Sequence, residues 1–166
     1  GEMGISELSR RKGLHRSNVH RILNTFESMG YVEKNTGNSK YRPSLRIFEL
    51  GSLVIQRTGL ITTAHPFLEK LGFNFGETSN LAIFDRGEVI YIDKVESSEP
   101  LRMDLAIGRR VPAYCTALGK VLLAGLKEYQ LNEYLRNIRF VKYTPNTISK
   151  KDLKKRLAEI QEKGFS

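Results

Sequence analysis

Apolar residues at Val19, Ile22, Leu23 and Phe26 recur at i, i+3, i+4 and i+7 within residues 13–30, which predicts an α-helix with one buried stripe. The other face of that helix shows Arg16, Ser17, Asn18, His20, Arg21 and Asn24, with no carboxylate before Glu27. A surface helix of a soluble protein ordinarily mixes both signs, so this bias asks for an anionic partner. The preceding residues 5–12, ISELSRRK, predict a short helix with Ser6 as its N-cap and Gly13 as the left-handed residue that ends it. A short helix, a glycine turn and a second helix with a basic polar face make a helix-turn-helix.

Beyond Gly30, two short β-prone runs flank a polar turn of Asn, Gly and Ser at residues 35–40, which predicts a hairpin. Directly after a recognition helix such a hairpin is a wing, and its Lys34, Asn38 and Lys40 are placed to meet phosphates or a neighbouring groove. Pro43 stops the strand and Ser44 caps a helix over residues 45–57. That helix carries Leu45, Phe48, Leu50, Leu53, Val54 and Ile55, more apolar side chains than one narrow stripe holds. Thr58-Gly59 marks the boundary between two domains. Residues 60–71 read as helical again, with Pro66 forcing a kink or a fresh start.

From Thr78 the period changes from 3.6 to 2. Residues 78–84 and 89–95 predict a second hairpin about a turn at 85–88. Leu101, Met103 and Leu105 share one face of a further strand, and residues 108–112 read as a loop. Three helices follow, at 117–125, at 128–136, and after Ser149, where Asp152 stands at N3 in a capping-box-like pair. Leu153, Leu157 and Ile160 form the inner face of the last helix, and Gly164 ends it. Strands and helices in no βαβ rhythm predict an α+β domain.

Charge sharpens this picture. Residues 1–46 hold nine Lys and Arg against four carboxylates, whereas the longer remainder holds 18 against 14. The front of the chain is therefore the electropositive part, as a nucleic-acid footprint requires. The single cysteine, Cys115, rules out an internal disulfide and suits a reducing compartment. Neither an apolar run of membrane-spanning length nor a leader is visible, so a cytoplasmic protein with no membrane partner is expected.

Three stretches carry a family resemblance. GISELSRRKGLHRSNVHRILNTFESMGYVEK with Tyr41-Arg42-Pro43, GETSNLAIFDRGEVIYIDKVES and IGRRVPAYCTALGKVLLAGL together resemble the IclR family of transcription regulators. The third is the most specific, with Gly108, Pro112, Thr116, Ala117, Gly119, Lys120, Leu123 and Ala124 falling as in the family signature. The resemblance implies a winged helix-turn-helix at residues 1–43, a linker helix at 44–58 and a GAF-like α+β effector-binding domain at 59–166. Against the family pattern, the apolar helix ahead of Gly4 and the strands beyond Phe165 are missing, so both domains are expected to be truncated.

On this reading the front half of the second helix enters a major groove. Arg16 and Arg21 can pair with guanine or phosphate, Asn18 and Asn24 can read adenine edges, and His20 can donate or accept. Ser17 suits a phosphate at the helix N-terminus, while Arg10 and Arg11 touch backbone rather than bases. The family resemblance further implies homodimers or homotetramers on an operator in double-stranded DNA. It also implies a small-molecule effector, often a carboxylate metabolite, and no cofactor. Carried over by residue, the effector is lined by Met103, Val111, Cys115, Thr116, Ala117, Leu118 and Gly119. A helix starting near Ala117 would aim the amides of Ala117, Leu118 and Gly119 at an anion. The expected function is thus a metabolite-controlled repressor, not an enzyme. The alternative is a metabolite-binding or enzymatic domain with a basic N-terminal interaction module. Cys115 at a helix start could serve it as nucleophile, but His15, His20 and His65 all lie far ahead of it in the chain.

Overall fold

Gly13 adopts φ 65°, the left-handed conformation that ends α1 (Ile5–Lys12) and turns the chain into α2 (Arg16–Ser28). The structure is a computed structural model that describes residues 1–97, 99 and 105–166. The chain forms two units, Gly1–Gly59 and Leu60–Ser166. In the first, α1 and α2 pack on a hairpin of β1 (Val32–Lys34) and β2 (Tyr41–Pro43), antiparallel with Glu33 opposite Arg42. The N-cap of α1 is Gly4, not Ser6, which lies within the first turn. Met3 and Tyr41 exchange both backbone bonds at 2.9 Å, so the chain stays extended up to Gly4 and the helix begins immediately after it.

Val19 and Leu23 of α2 are buried together with Tyr41, and Ile5, Leu8 and Val32 close around them. Ile22 and Phe26, expected in the same stripe, are 42% and 44% exposed. α1 and the hairpin cover only a narrow strip of α2, although Phe26 retains an edge-on contact with Tyr31 at 6.4 Å. Ser44 caps α3 (Leu45–Gln56) as expected, accepting from the Arg46 amide at 3.2 Å while its own hydroxyl donates to the Gly30 carbonyl. No residue of α3 is buried, and Phe48 is 72% exposed.

The second unit opens with α4 (Leu60–Phe75), which runs unbroken through Pro66 and past the expected end at residue 71. Pro66 has no N–H to give the Thr62 carbonyl, but both residues lie on the exposed face, where water can take the freed acceptor. β3 (Ser79–Asp85) and β4 (Glu88–Val95) are joined by Arg86 and Gly87 at φ 50° and 89°, the positive pair that a tight I′ hairpin needs. β5 (Arg110–Pro112) pairs antiparallel with β4, Val89 opposite Val111, where the sequence reads as loop. Three residues are too few to show a period, and the strand is held by Arg110 reaching Asp85 at 2.6 Å and Glu88 at 3.4 Å. The strand expected at 101–105 falls almost wholly outside the described residues, and Met103 with it.

A 3-10 turn, Ala113–Cys115, leads into α5 (Ala117–Ala124), capped by Thr116, whose hydroxyl accepts from the Gly119 amide at 2.9 Å. Gly119 is the most closely packed of the glycines. A Cβ there would stand 2.2 Å from the Ala113 carbonyl oxygen and 2.7 Å from its Cα, so only glycine lets α5 lie on the turn. α6 (Glu128–Asn137) and α7 (Lys150–Lys163) complete the core, with Tyr134, Leu135, Leu153, Leu157 and Ile160 packed on Val89, Tyr91, Tyr114 and Leu123. As expected, Ser149 caps α7 with Asp152 at N3, and Gly164 at φ 79° ends it. α4 is tied to the sheet by His65 Nδ1, 2.7 Å from Asp93 Oδ2 on β4, with Glu69 of the same helix 3.8 Å from the other ring nitrogen.

Two outcomes follow from this packing. Gly119→Ala forces the turn off the helix and should cost about 2 kcal/mol or more in urea unfolding, whereas Gly51→Ala, with open space around it, should not destabilise. The Asp93 carboxylate holds the His65 imidazolium above its ordinary range, chiefly by its hydrogen bond. That stabilisation is complete below the ordinary histidine pKa and is lost as pH rises through the higher folded value. The stability difference between wild type and His65→Gln, measured by urea unfolding from pH 5 to 9, should therefore shrink as pH rises.

Candidate DNA interface and effector site

The recognition face follows from which residues α2 buries. With Val19 and Leu23 inward, Arg16, Ser17, Asn18, His20, Arg21 and Asn24 are all exposed, and among the described residues none of their side chains has a hydrogen-bond or ion-pair partner. Arg10 and Arg11 extend the cationic surface from α1, Arg11 partly paired with Glu7 at 2.7 Å. On the wing, Lys34 lies over the Tyr41 ring at 5.9 Å and Lys40 is exposed. Asn38 is placed differently from the expectation: its Oδ1 accepts from the Lys40 amide at 2.9 Å and its Nδ2 donates to Glu2 Oε2 at 2.8 Å. The fold thus occupies both ends of that amide, a tie across 36 residues that no local pattern announces.

In the second unit, Val111, Cys115 and Thr116 line one cavity of about 450 Å³, between β5, the start of α5 and residues 143–148. Arg109, Lys120, Tyr143, Thr144, Asn146 and Thr147 also face it, and among the described residues its walls carry two cations and no carboxylate. Tyr114 closes the back, its hydroxyl accepting from the Val141 amide at 2.8 Å and donating to the Val141 carbonyl at 3.1 Å. Ala117, Leu118 and Gly119 do not line this cavity. Leu118 packs on the core, Gly119 is buried against Ala113, and its amide is taken by Thr116. The 143–148 segment escaped sequence reading, although its Thr-Pro-Asn-Thr run is a turn signal.

Burial pushes the Cys115 thiol up from its ordinary range, against smaller opposing effects from Tyr114 and Lys120. His65, in the same unit, is engaged with Asp93 instead. That environment disfavours a thiolate. The pH profile of iodoacetamide alkylation of Cys115 should accordingly have its midpoint above that of glutathione, read by mass spectrometry.

The family description "Bacterial transcriptional regulator IclR C-terminal" matches residues 52–166, and "IclR helix-turn-helix domain" matches residues 1–36. The HTH-type transcriptional regulator KdgR of Dickeya chrysanthemi is 38% identical over 165 residues, covering 99% of this chain and 54% of that protein. The transcriptional repressor IclR of Escherichia coli is 32% identical over 169 residues, covering 100% of this chain and 62% of the repressor. An IclR homolog from Microbacterium hydrocarbonoxydans, solved in complex with 4-hydroxybenzoate, shares the fold with a TM-score of 0.80 at 24% identity, over 98% of this chain and 68% of that one. The chain spans between about half and two thirds of the two curated relatives. Its front helices and hairpin, its Thr116-capped helix and these matches together establish that the chain belongs to the IclR family of transcriptional regulators.

Proposed function

We propose that this chain reads double-stranded DNA through α2 and the wing, and that a small carboxylate in the Thr116–Lys120 cavity controls the binding. The observation that carries the first half is the exposed, unpartnered face of α2, with two cations, two carboxamides and no acid from Arg16 to Asn24. Such a face matches the donors and acceptors of a major groove. The cavity supports the second half, because Arg109 and Lys120 supply positive charge beside hydroxyl and amide donors at the size of a small metabolite. The solved relative's 4-hydroxybenzoate is an aromatic carboxylate of that kind. Repression is the direction carried by the named repressor among the relatives, the work being regulatory, not catalytic, and cytoplasmic.

The same reading accounts for α3. Leu45, Phe48, Leu53 and Val54 are exposed along one helix, and a second copy of the chain is the occupant that two DNA half-sites call for. The active form is thus a homodimer or a pair of dimers.

The decisive experiment is an anisotropy titration of the protein against duplexes from the DNA flanking its own gene, run at several salt concentrations. A sequence preference at two chains per site is expected. Arg21→Ala should lower specific affinity by about 1–3 kcal/mol, and Lys40→Ala should weaken all duplexes alike while reducing the salt slope by about 1. Unchanged titrations for Arg21→Ala remove α2 from the groove.

A further inference from the structure

Glu2 stands at the tip of the wing, although neither charge nor sequence position recommends it there. Its two carboxylate oxygens accept from Asn35 Nδ2 at 2.9 Å and Asn38 Nδ2 at 2.8 Å. The opposite ends of the same two carboxamides build the turn, Asn35 Oδ1 accepting from the Gly37 amide and Asn38 Oδ1 from the Lys40 amide, each at 2.9 Å. One acid thus orients both side chains that shape the loop. The adjoining Met3–Tyr41 bridge ties the residue after Glu2 to the wing, so the carboxylate is delivered from a paired backbone. An acid beside the Lys40 and Arg42 cations offsets part of the positive field of an anion-binding surface, so its placement asks for a return.

We infer that Glu2 is a positioning residue for DNA recognition, clamping the wing turn through Asn35 and Asn38 so that Lys34 and Lys40 meet the duplex in one fixed geometry. The inference rests on the reading of the wing as a DNA contact. Its return is pre-organisation: a turn already ordered in the free protein does not lose that freedom on binding. The Asn35 and Asn38 bonds also hold the Glu2 carboxyl below the usual carboxylate range, so the charged clamp is favoured. Because a negative charge is used, the clamp favours specific over nonspecific binding. Removing it frees the loop and also relieves repulsion from any phosphate.

The test uses the full chain and a duplex selected by the wild-type protein from a random pool, with a scrambled duplex as control. In the free protein, Glu2→Gln should shift the Asn35 and Asn38 side-chain NH2 resonances and speed hydrogen exchange at the Gly37 and Lys40 amides. On DNA, the ratio of selected to scrambled affinity should fall about three- to tenfold, the cost of ordering one or two side chains on binding. Nonspecific affinity should stay level or rise. Glu2→Ala, which removes both acceptors, should fall further than Glu2→Gln, whose Oε1 can keep one bond, and Glu2→Gln with Asn38→Ala should lose less than the two changes summed. A wild-type ratio retained by Glu2→Gln, or NH2 resonances that do not move, overturns the inference while leaving the DNA reading intact. A wild-type protein that does not distinguish the two duplexes overturns the DNA reading itself, and the inference falls with it.

Discussion

Everything in the first unit depends on α2 being held by very few side chains. Val19 and Leu23, with Tyr41 across from them, are the buried anchors of the first unit. A helix fixed along so narrow a strip leaves most of its circumference to solvent, and a groove-reading helix has to do so. A wider buried face would draw Asn18 or Arg21 inward, and a narrower one would not hold the helix against the hairpin. The narrowness also explains why Ile22 and Phe26 are exposed despite their spacing. They border the strip, and nothing in the unit reaches far enough to cover them.

The second unit meets a different constraint, a backbone contact. α5 lies directly on the 3-10 turn before it, at a distance that excludes any side chain at residue 119. The contact fixes where Thr116, Cys115 and Lys120 face, and so sets one wall of the cavity. Thr116 spends its hydroxyl on the cap, while the Tyr114 hydroxyl is held by both backbone groups of Val141. Glycine in the Thr-Ala-Leu-Gly-Lys run therefore serves packing first. The rest of the cavity lining comes from Arg109, Lys120 and the turn at 143–148.

Local patterns were legible where one element's period or cap decides the outcome. The existence of α2, the Ser44 and Ser149 caps, the β3–β4 hairpin and the inner face of α7 all follow from residues within a turn of each other. Those signals failed where a distant partner intervened. Ser6 lost the cap position to Gly4 because Tyr41 pairs with Met3. Residues 110–112 became a strand because β4 offered an open edge. Asn38 turned from solvent to Glu2, and the second wall of the cavity came from a segment about 30 residues further along the chain.

By itself, then, the sequence determined the succession of α-helices and the two hairpins, the basic outward face of α2 and the motifs that mark the family. These depend on spacing, capping and charge, all properties of neighbouring residues. Tertiary structure alone decided how much of each apolar stripe is buried, which polar side chains remain free to meet a ligand, and which residues enclose the cavity. Those outcomes depend on what lies opposite in space, and a one-dimensional pattern carries no record of it.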